Sequence, residues 1–153
     1  MHALESRVPP VAAAFIMAVM MALIAWAIPV SDFVVPWREP VTIVFALAGV
    51  AVSLLGVRSF RRAGTTVSPL RSSAASSLVV SGVYSRTRNP MYLGFLLIML
   101  AWALFLSNAI AFLLLPAFVL FMNRFQIEPE ERALTALFGR EFDAYKLRVR
   151  KWL

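Results

Sequence analysis

Two neighbouring glutamates, Glu130 and Glu131, and a short basic segment from Arg86 to Asn89 are the residues best equipped for chemistry. Asn89-Pro90 opens an apolar run, with asparagine a favoured N-cap and proline a favoured first helical residue. The helix starting there presents unsatisfied N–H groups and a positive dipole end beside Arg86 and Arg88, a combination suited to a carboxylate or phosphate. Glu128-Pro129-Glu130-Glu131 reads as another helix start, with acids in its first turn. If the two starts meet, an anion-accepting end and a carboxylate pair share one mouth, with Tyr84 and Tyr92 nearby. That mouth suits a zwitterionic ligand with hydroxyls and an aromatic ring. The plainer alternatives are a capped helix flanked by basic topology signals, and acids that only offset a dipole.

Other chemistries are excluded. The chain has no cysteine, which removes disulfides, thiolate metal sites and a cysteine nucleophile. Its one histidine, His2, is next to the terminus. No metal site is therefore expected, nor a mechanism that relies on a histidine base.

The elements that position these residues follow from hydropathy. Of 153 residues, 61% are hydrophobic and 15% charged, with a mean hydropathy of +0.79. A soluble domain of this length cannot bury that much apolar side chain, so the excess faces lipid. The expectation is an all-α integral membrane protein, one domain over 1–153, with about four transmembrane helices near 11–30, 40–57, 90–106 and 109–123. The stretch from Arg88 to Arg124 contains no charge between its ends. It is too long for one span of roughly 20 residues. Ser107-Asn108 supplies the turn that divides it into a hairpin, and Pro116 is expected to kink the last span. Ala12, Ala13, Ala14, Ala18 and Ala22, and then Ala46, Gly49, Ser53 and Gly56, are small residues that let helices approach closely.

The net charge of +7 arises from 15 Lys and Arg against 8 Asp and Glu. These basic residues flank apolar segments, which points to anionic lipid headgroups and not to nucleic acid. The loop at 58–89 carries Arg58, Arg61, Arg62, Arg71, Arg86 and Arg88 without an acid, and the tail at 124–153 is also basic, whereas 31–39 has only Arg38. The positive-inside rule puts loop, tail and both termini in the cytoplasm, as for a protein of a bacterial inner membrane. Within the loop, Thr65 to Ser77 reads as irregular, and Ser81-Gly82 as a turn. In the tail, Leu134, Phe138, Phe142, Tyr145, Val149 and Trp152 recur every three or four residues. This amphipathic stripe is expected to lie on the membrane face or dock under the bundle, with a break at Gly139.

The order of these motifs resembles a family. Gly82-Val83-Tyr84, then Arg88-Asn89-Pro90-Met91-Tyr92 opening a span, then Glu130-Glu131-Arg132-Ala133-Leu134 and Phe138-Gly139-Arg140-Glu141-Phe142-Asp143-Ala144-Tyr145, resemble the isoprenylcysteine carboxyl methyltransferases. More widely, they resemble the membrane methyltransferases that include phospholipid N-methyltransferases. The resemblance covers roughly the second half of the chain together with the loop from Arg58. It implies an enzyme that binds S-adenosylmethionine at the cytoplasmic face, methylates a lipophilic acceptor drawn from the membrane lipid, and releases S-adenosylhomocysteine. By carry-over, Arg88, Glu130 and Glu131 would be catalytic. The cofactor would be held by Leu78, Val79, Gly82, Tyr84, Arg88, Asn89, Pro90, Tyr92, Glu130 and Glu131.

One position departs from that pattern. Asn89 stands where the family usually has histidine. Asparagine can replace a hydrogen-bonding histidine but not a base. Because a sulfonium is already an activated methyl donor, alignment of acceptor, methyl and sulfur is the main requirement. The acceptor stays open between the carboxyl of a prenylated thiol, a lipid amine and a small thiol, and a non-enzymatic membrane protein is the competing class.

Overall fold

The computed structural model describes residues 8–29, 33–64 and 77–153. His2, Arg7, Asp32, Arg71 and the serine-rich stretch expected to be irregular at 65–76 lie outside the described residues. Within them every regular element is helical, with no β-strand. The elements are α1 (Pro10–Ala27), α2 (Arg38–Arg62), a 3-10 turn at Gly82–Ser85, α3 (Pro90–Leu106), the short α4 (Ala109–Phe112), α5 (Leu114–Met122), a π turn at Asn123–Ile127, α6 (Glu128–Phe138) and α7 (Arg140–Arg148). The helices α1 and α2 are long and apolar enough to span a bilayer, as is the continuous run from Ala109 to Phe138, and α3 is a slightly shorter apolar helix.

Local signals account for most boundaries. Pro9-Pro10 and Asn89-Pro90 start α1 and α3. Ser107, in the left-handed region at φ 54°, ends α3, and the Asn108 side chain caps α4 by accepting from the Ala111 N–H at 3.0 Å. Gly139, at φ 49°, separates α6 from α7, the break expected there. The Pro116 kink falls at Leu113, between α4 and α5: proline has no N–H for the carbonyl four residues back and its ring crowds that carbonyl. The second span runs five residues beyond its expected end, through Arg58 to Arg62.

Glu128 does not open a separate helix, contrary to the sequence reading. Its N–H bonds the Asn123 carbonyl, so the helix from the last span continues through the π turn into α6. Pro129 supplies the reason. It cannot donate to the turn before it, and that turn widens to keep the chain helical. The acids at 130 and 131 thus belong to a continuing helix, and dipole compensation at a free helix end no longer explains them.

The helix α3 is central, flanked by α2 on one side and by α1 and α5 on another. The α2–α3 seam runs antiparallel and is packed through glycine. A Cβ added at Gly49 would meet the Gly94 carbonyl oxygen at 2.6 Å and Ile98 at 2.8 Å, and one added at Gly94 would collide with Ser53. This is the close approach that Gly49, Ser53 and Gly56 lead one to expect. Outward side chains such as Phe15, Leu23, Ile43, Leu47 and Leu54 are more than half exposed, as lipid-facing residues are when no lipid is present. One rim of the bundle carries Val8, the end of α2, Asn89 and Asn123. The opposite rim carries Ile28, Arg38 and Ser107-Asn108, tied by Asn108 Nδ2 donating to the Ile28 carbonyl at 2.9 Å.

Candidate functional site

The hairpin of α3 and α4–α5 returns the chain to the rim it left, and α6 continues out of the bundle beside the start of α3. The run from Ala109 to Phe138 is 30 residues. At about 1.5 Å per residue it outruns a hydrocarbon core of about 30 Å. Its charged end, from Arg124 onward, thus lies beyond the apolar span at 109–123.

There the two glutamates take different partners. Glu131 accepts from Arg88 twice, from Nη2 at 2.7 Å and from Nε at 3.2 Å, and Lys151 Nζ stands 3.8 Å from its other oxygen. Glu130 instead accepts from the Tyr92 hydroxyl. As a residue Glu130 is only partly buried, yet its carboxyl turns inward onto Tyr92, which is 4% exposed. Among the described residues no cation pairs with it. Burial pushes its pKa up to about 7, the Tyr92 hydrogen bond opposes that rise, and the charge of Glu131 adds to it. Tyr84 is buried within reach of the same field. Its hydroxyl is pushed above the ordinary range by burial first, and by Tyr145 and Glu130 next.

Arg88 is saturated. Besides Glu131, its Nη1 donates to the carbonyls of Val149 at 2.5 Å and Lys146 at 3.3 Å. Its charge is neutralised within the protein, so it orients Glu131 and is not an open anion receptor. The Asn89 side chain does not cap α3; its amide donates to the Lys151 carbonyl at 2.9 Å. Pro90 is buried under α2, with its ring 3.3 Å from where a Cβ on Gly56 would stand.

The 78–84 strip supports the mouth from behind. Leu78 packs on Phe142, Tyr145 and Val149 with Leu134 and Phe138, so most of the tail's stripe docks under the bundle, while Trp152 joins the cluster around Tyr92. Val79 is buried. Gly82 turns at φ 65° beside Ser59, and the Tyr84 carbonyl accepts from the Tyr145 hydroxyl at 2.7 Å. Arg86 is exposed. The two helix ends therefore meet by direct bonds. Next to them opens a hollow of about 380 Å³, lined by Glu128, Glu131, Arg132, Thr135 and Lys146. Of the residues expected at the site, only Glu131 lines it.

Sequence reasoning missed the contribution of the last residues and of the π turn. Thr87, 1% exposed, and the carbonyls of Val149, Arg150 and Lys151 belong to the Arg88–Asn89 network. Asn123 accepts from Trp152 Nε1 at 3.0 Å. Gln126 is fully buried; its amide donates to the Val8 carbonyl at 2.8 Å, and its Oε1 has no partner. Polar residues at 123 and 126, just past an apolar span, were the available signal.

The comparisons with known proteins agree with this architecture. The model of the phospholipid methyltransferase family matches residues 37–141, a stretch that runs from the start of α2 past Arg88, Tyr92, Glu130 and Glu131. A Haemophilus influenzae protein described as uncharacterized is 51% identical over 63 residues, which is 41% of this chain and 100% of that protein. No solved structure matches. The match is to the wider membrane methyltransferase group and does not single out the isoprenylcysteine branch. With its apolar spanning helices and a family match over more than half its length, the chain is an integral membrane protein that belongs to the phospholipid methyltransferase family.

Proposed function

We propose that the protein transfers a methyl group from S-adenosylmethionine to a lipid amine headgroup at the cytoplasmic face of a bacterial inner membrane. The observation that carries this reading is Glu130, an inward-turned carboxyl that accepts from the Tyr92 hydroxyl, has no cation among the described residues, and has a pKa pushed up to about 7. An amine is protonated near neutral pH and must lose a proton before its lone pair can attack. A carboxylate whose pKa lies close to the working pH is matched to that task. A carboxylate or thiolate acceptor needs no base, and here it would face two glutamates while Arg88 is already neutralised by Glu131.

The donor set fits the cofactor. Glu128, Glu131, Arg132, Lys146 and the Thr135 hydroxyl around the hollow offer both charge signs and hydroxyl partners, as an amino-acid zwitterion and a ribose require. The volume also falls within the roughly 300–1,000 Å³ of small-molecule pockets. When bound, the sulfonium supplies an activated methyl group. Glu131, held by Arg88, would take the polar part of the cofactor, while Leu78, Val79, Gly82, Tyr84, Asn89, Pro90 and Tyr92 support the mouth from outside the hollow. Glu130 would first take the proton from the amine nitrogen, and the freed lone pair would then form the N–C bond as the sulfur–methyl bond breaks and its electron pair stays on sulfur.

The test is calorimetric titration of wild type, Glu131→Ala and Arg88→Ala with S-adenosylmethionine, followed by transfer of a radiolabelled methyl group in native membranes. Wild type is expected to bind and both variants to bind weakly, with label recovered in the lipid extract. Undetectable binding in all three would overturn the enzyme reading and favour a carrier or assembly role. Label confined to prenylated protein or to small thiols would overturn the choice of acceptor.

A further inference from the structure

An asparagine at a helix N-cap ordinarily accepts a hydrogen bond from the first turn. Asn89 occupies that position and makes no such bond. Its Nδ2 reaches 62 residues along the chain to the Lys151 carbonyl. The same carbonyl accepts from Thr87 Oγ1 at 3.4 Å, the Arg150 carbonyl accepts from the Arg88 backbone N–H at 3.0 Å, and the Val149 carbonyl accepts from Arg88 Nη1 at 2.5 Å. Val149 is extended, and Trp152 anchors the far end through Asn123 and the cluster around Tyr92. Three consecutive residues, Thr87 to Asn89, thus hold three consecutive backbone carbonyls of the segment that follows α7.

We propose that Asn89 is a positioning residue. It ties the 149–152 segment across the start of α3, and that segment, through the Val149 carbonyl, fixes the Arg88 guanidinium in the orientation that holds Glu131 at the hollow. The segment therefore acts on the hollow through Arg88 and Glu131, and position 89 needs an N–H donor, not a base. This rests on the reading of the mouth as a methyl-transfer site.

The variants that test it are Asn89→Asp, which places an acceptor against the Lys151 carbonyl, Asn89→His, which keeps a donor, a truncation after Arg150, and the truncation combined with Asn89→Asp. Asn89→Asp and the truncation are each expected to weaken S-adenosylmethionine binding by about tenfold and raise KM more than they lower kcat, because each removes the shorter of the two bonds to the Lys151 carbonyl. The combined variant should be no worse than the truncation alone, since both break the same tie. Asn89→His should stay within about twofold of wild type. In Asn89→Asp, amide hydrogen exchange across 146–150 should quicken, and the pH inflection of turnover should not move. Unchanged exchange with unchanged affinity would overturn the proposal. So would additive losses in the combined variant, or a shifted pH inflection, which would place Asn89 at the reacting atoms. If wild type binds no cofactor, the methyl-transfer reading fails, while the exchange measurement still decides whether Asn89 holds the segment.

Discussion

Two asparagines precede two helices at opposite rims, and they are used in opposite ways. Asn108 caps α4 and ties it to the end of α1, so its amide completes backbone ends left open by the α3–α4 turn. Its partners among the described residues include the Ile28 carbonyl and the Ala111 N–H, both neutral, and the Phe33 N–H bonds the adjoining Ser107 carbonyl at 2.8 Å. Asn89 leaves its helix uncapped and is surrounded by Arg88, Glu130, Glu131 and Lys151. Buried polar groups that terminate helices are satisfied locally and carry no surplus charge. The Asn89 rim keeps a carboxyl with no cation among the described residues, an arrangement that costs stability and that packing alone does not require.

Substitutions at the two rims can break or sharpen that contrast. The largest effect is expected for Glu130→Gln, which removes the proposed base and should lower methyl transfer by about 10²–10⁴-fold while the protein still folds in detergent. A variant with wild-type turnover would place the chemistry elsewhere. Next is Arg88→Ala, which strands Glu131 and several carbonyls. Loss of one partner from a buried pair costs about 3–5 kcal/mol, so its thermal unfolding should fall well below that of any variant at the opposite rim.

Away from both rims, Gly94→Ala should destabilise the α2–α3 seam by about 1–3 kcal/mol through overpacking against Ser53. The same scan would read this loss. On the proposed function, turnover should rise as pH climbs through about 7, because the Glu130 carboxylate would be the active form. Tyr92→Phe removes the hydrogen bond that holds this pKa down, so the inflection should move to higher pH. A downward move would refute the pairing. The stability linkage has the opposite slope. The folded state binds the Glu130 proton more tightly than the unfolded chain, so stability should decline as pH rises from about 4.5 to about 7, and Glu130→Gln should flatten that decline. The smallest effect on methyl transfer belongs to Asn108→Ala. It should leave transfer unchanged while costing stability, about 1 kcal/mol for the lost cap and about 1–3 kcal/mol for the Ile28 carbonyl left without its donor.

Much of the fold was legible because its signals are local. Apolar runs bounded by charge marked the spans, Asn89-Pro90 and Ser107-Asn108 marked the ends of α3, and Gly139 marked the break before α7. Those signals act within a few residues, where backbone sterics, helix periodicity and burial in lipid leave little choice. The continuity of the last span into α6 was misread because a proline followed by acids looks the same at a helix start as it does after a π turn. Only the arrangement of the preceding turn distinguishes them.

The sequence by itself determined that this chain crosses a membrane as helices, and which residues near one rim could do chemistry. The tertiary structure alone decided that Glu130 bonds Tyr92 while Glu131 bonds Arg88, and that the final residues lie across the start of α3. The physical reason is separation along the chain. Partners 38 to 62 residues apart are chosen by how the helices pack and turn, and adjacent glutamates of identical chemistry carry no local mark of which will meet the cation.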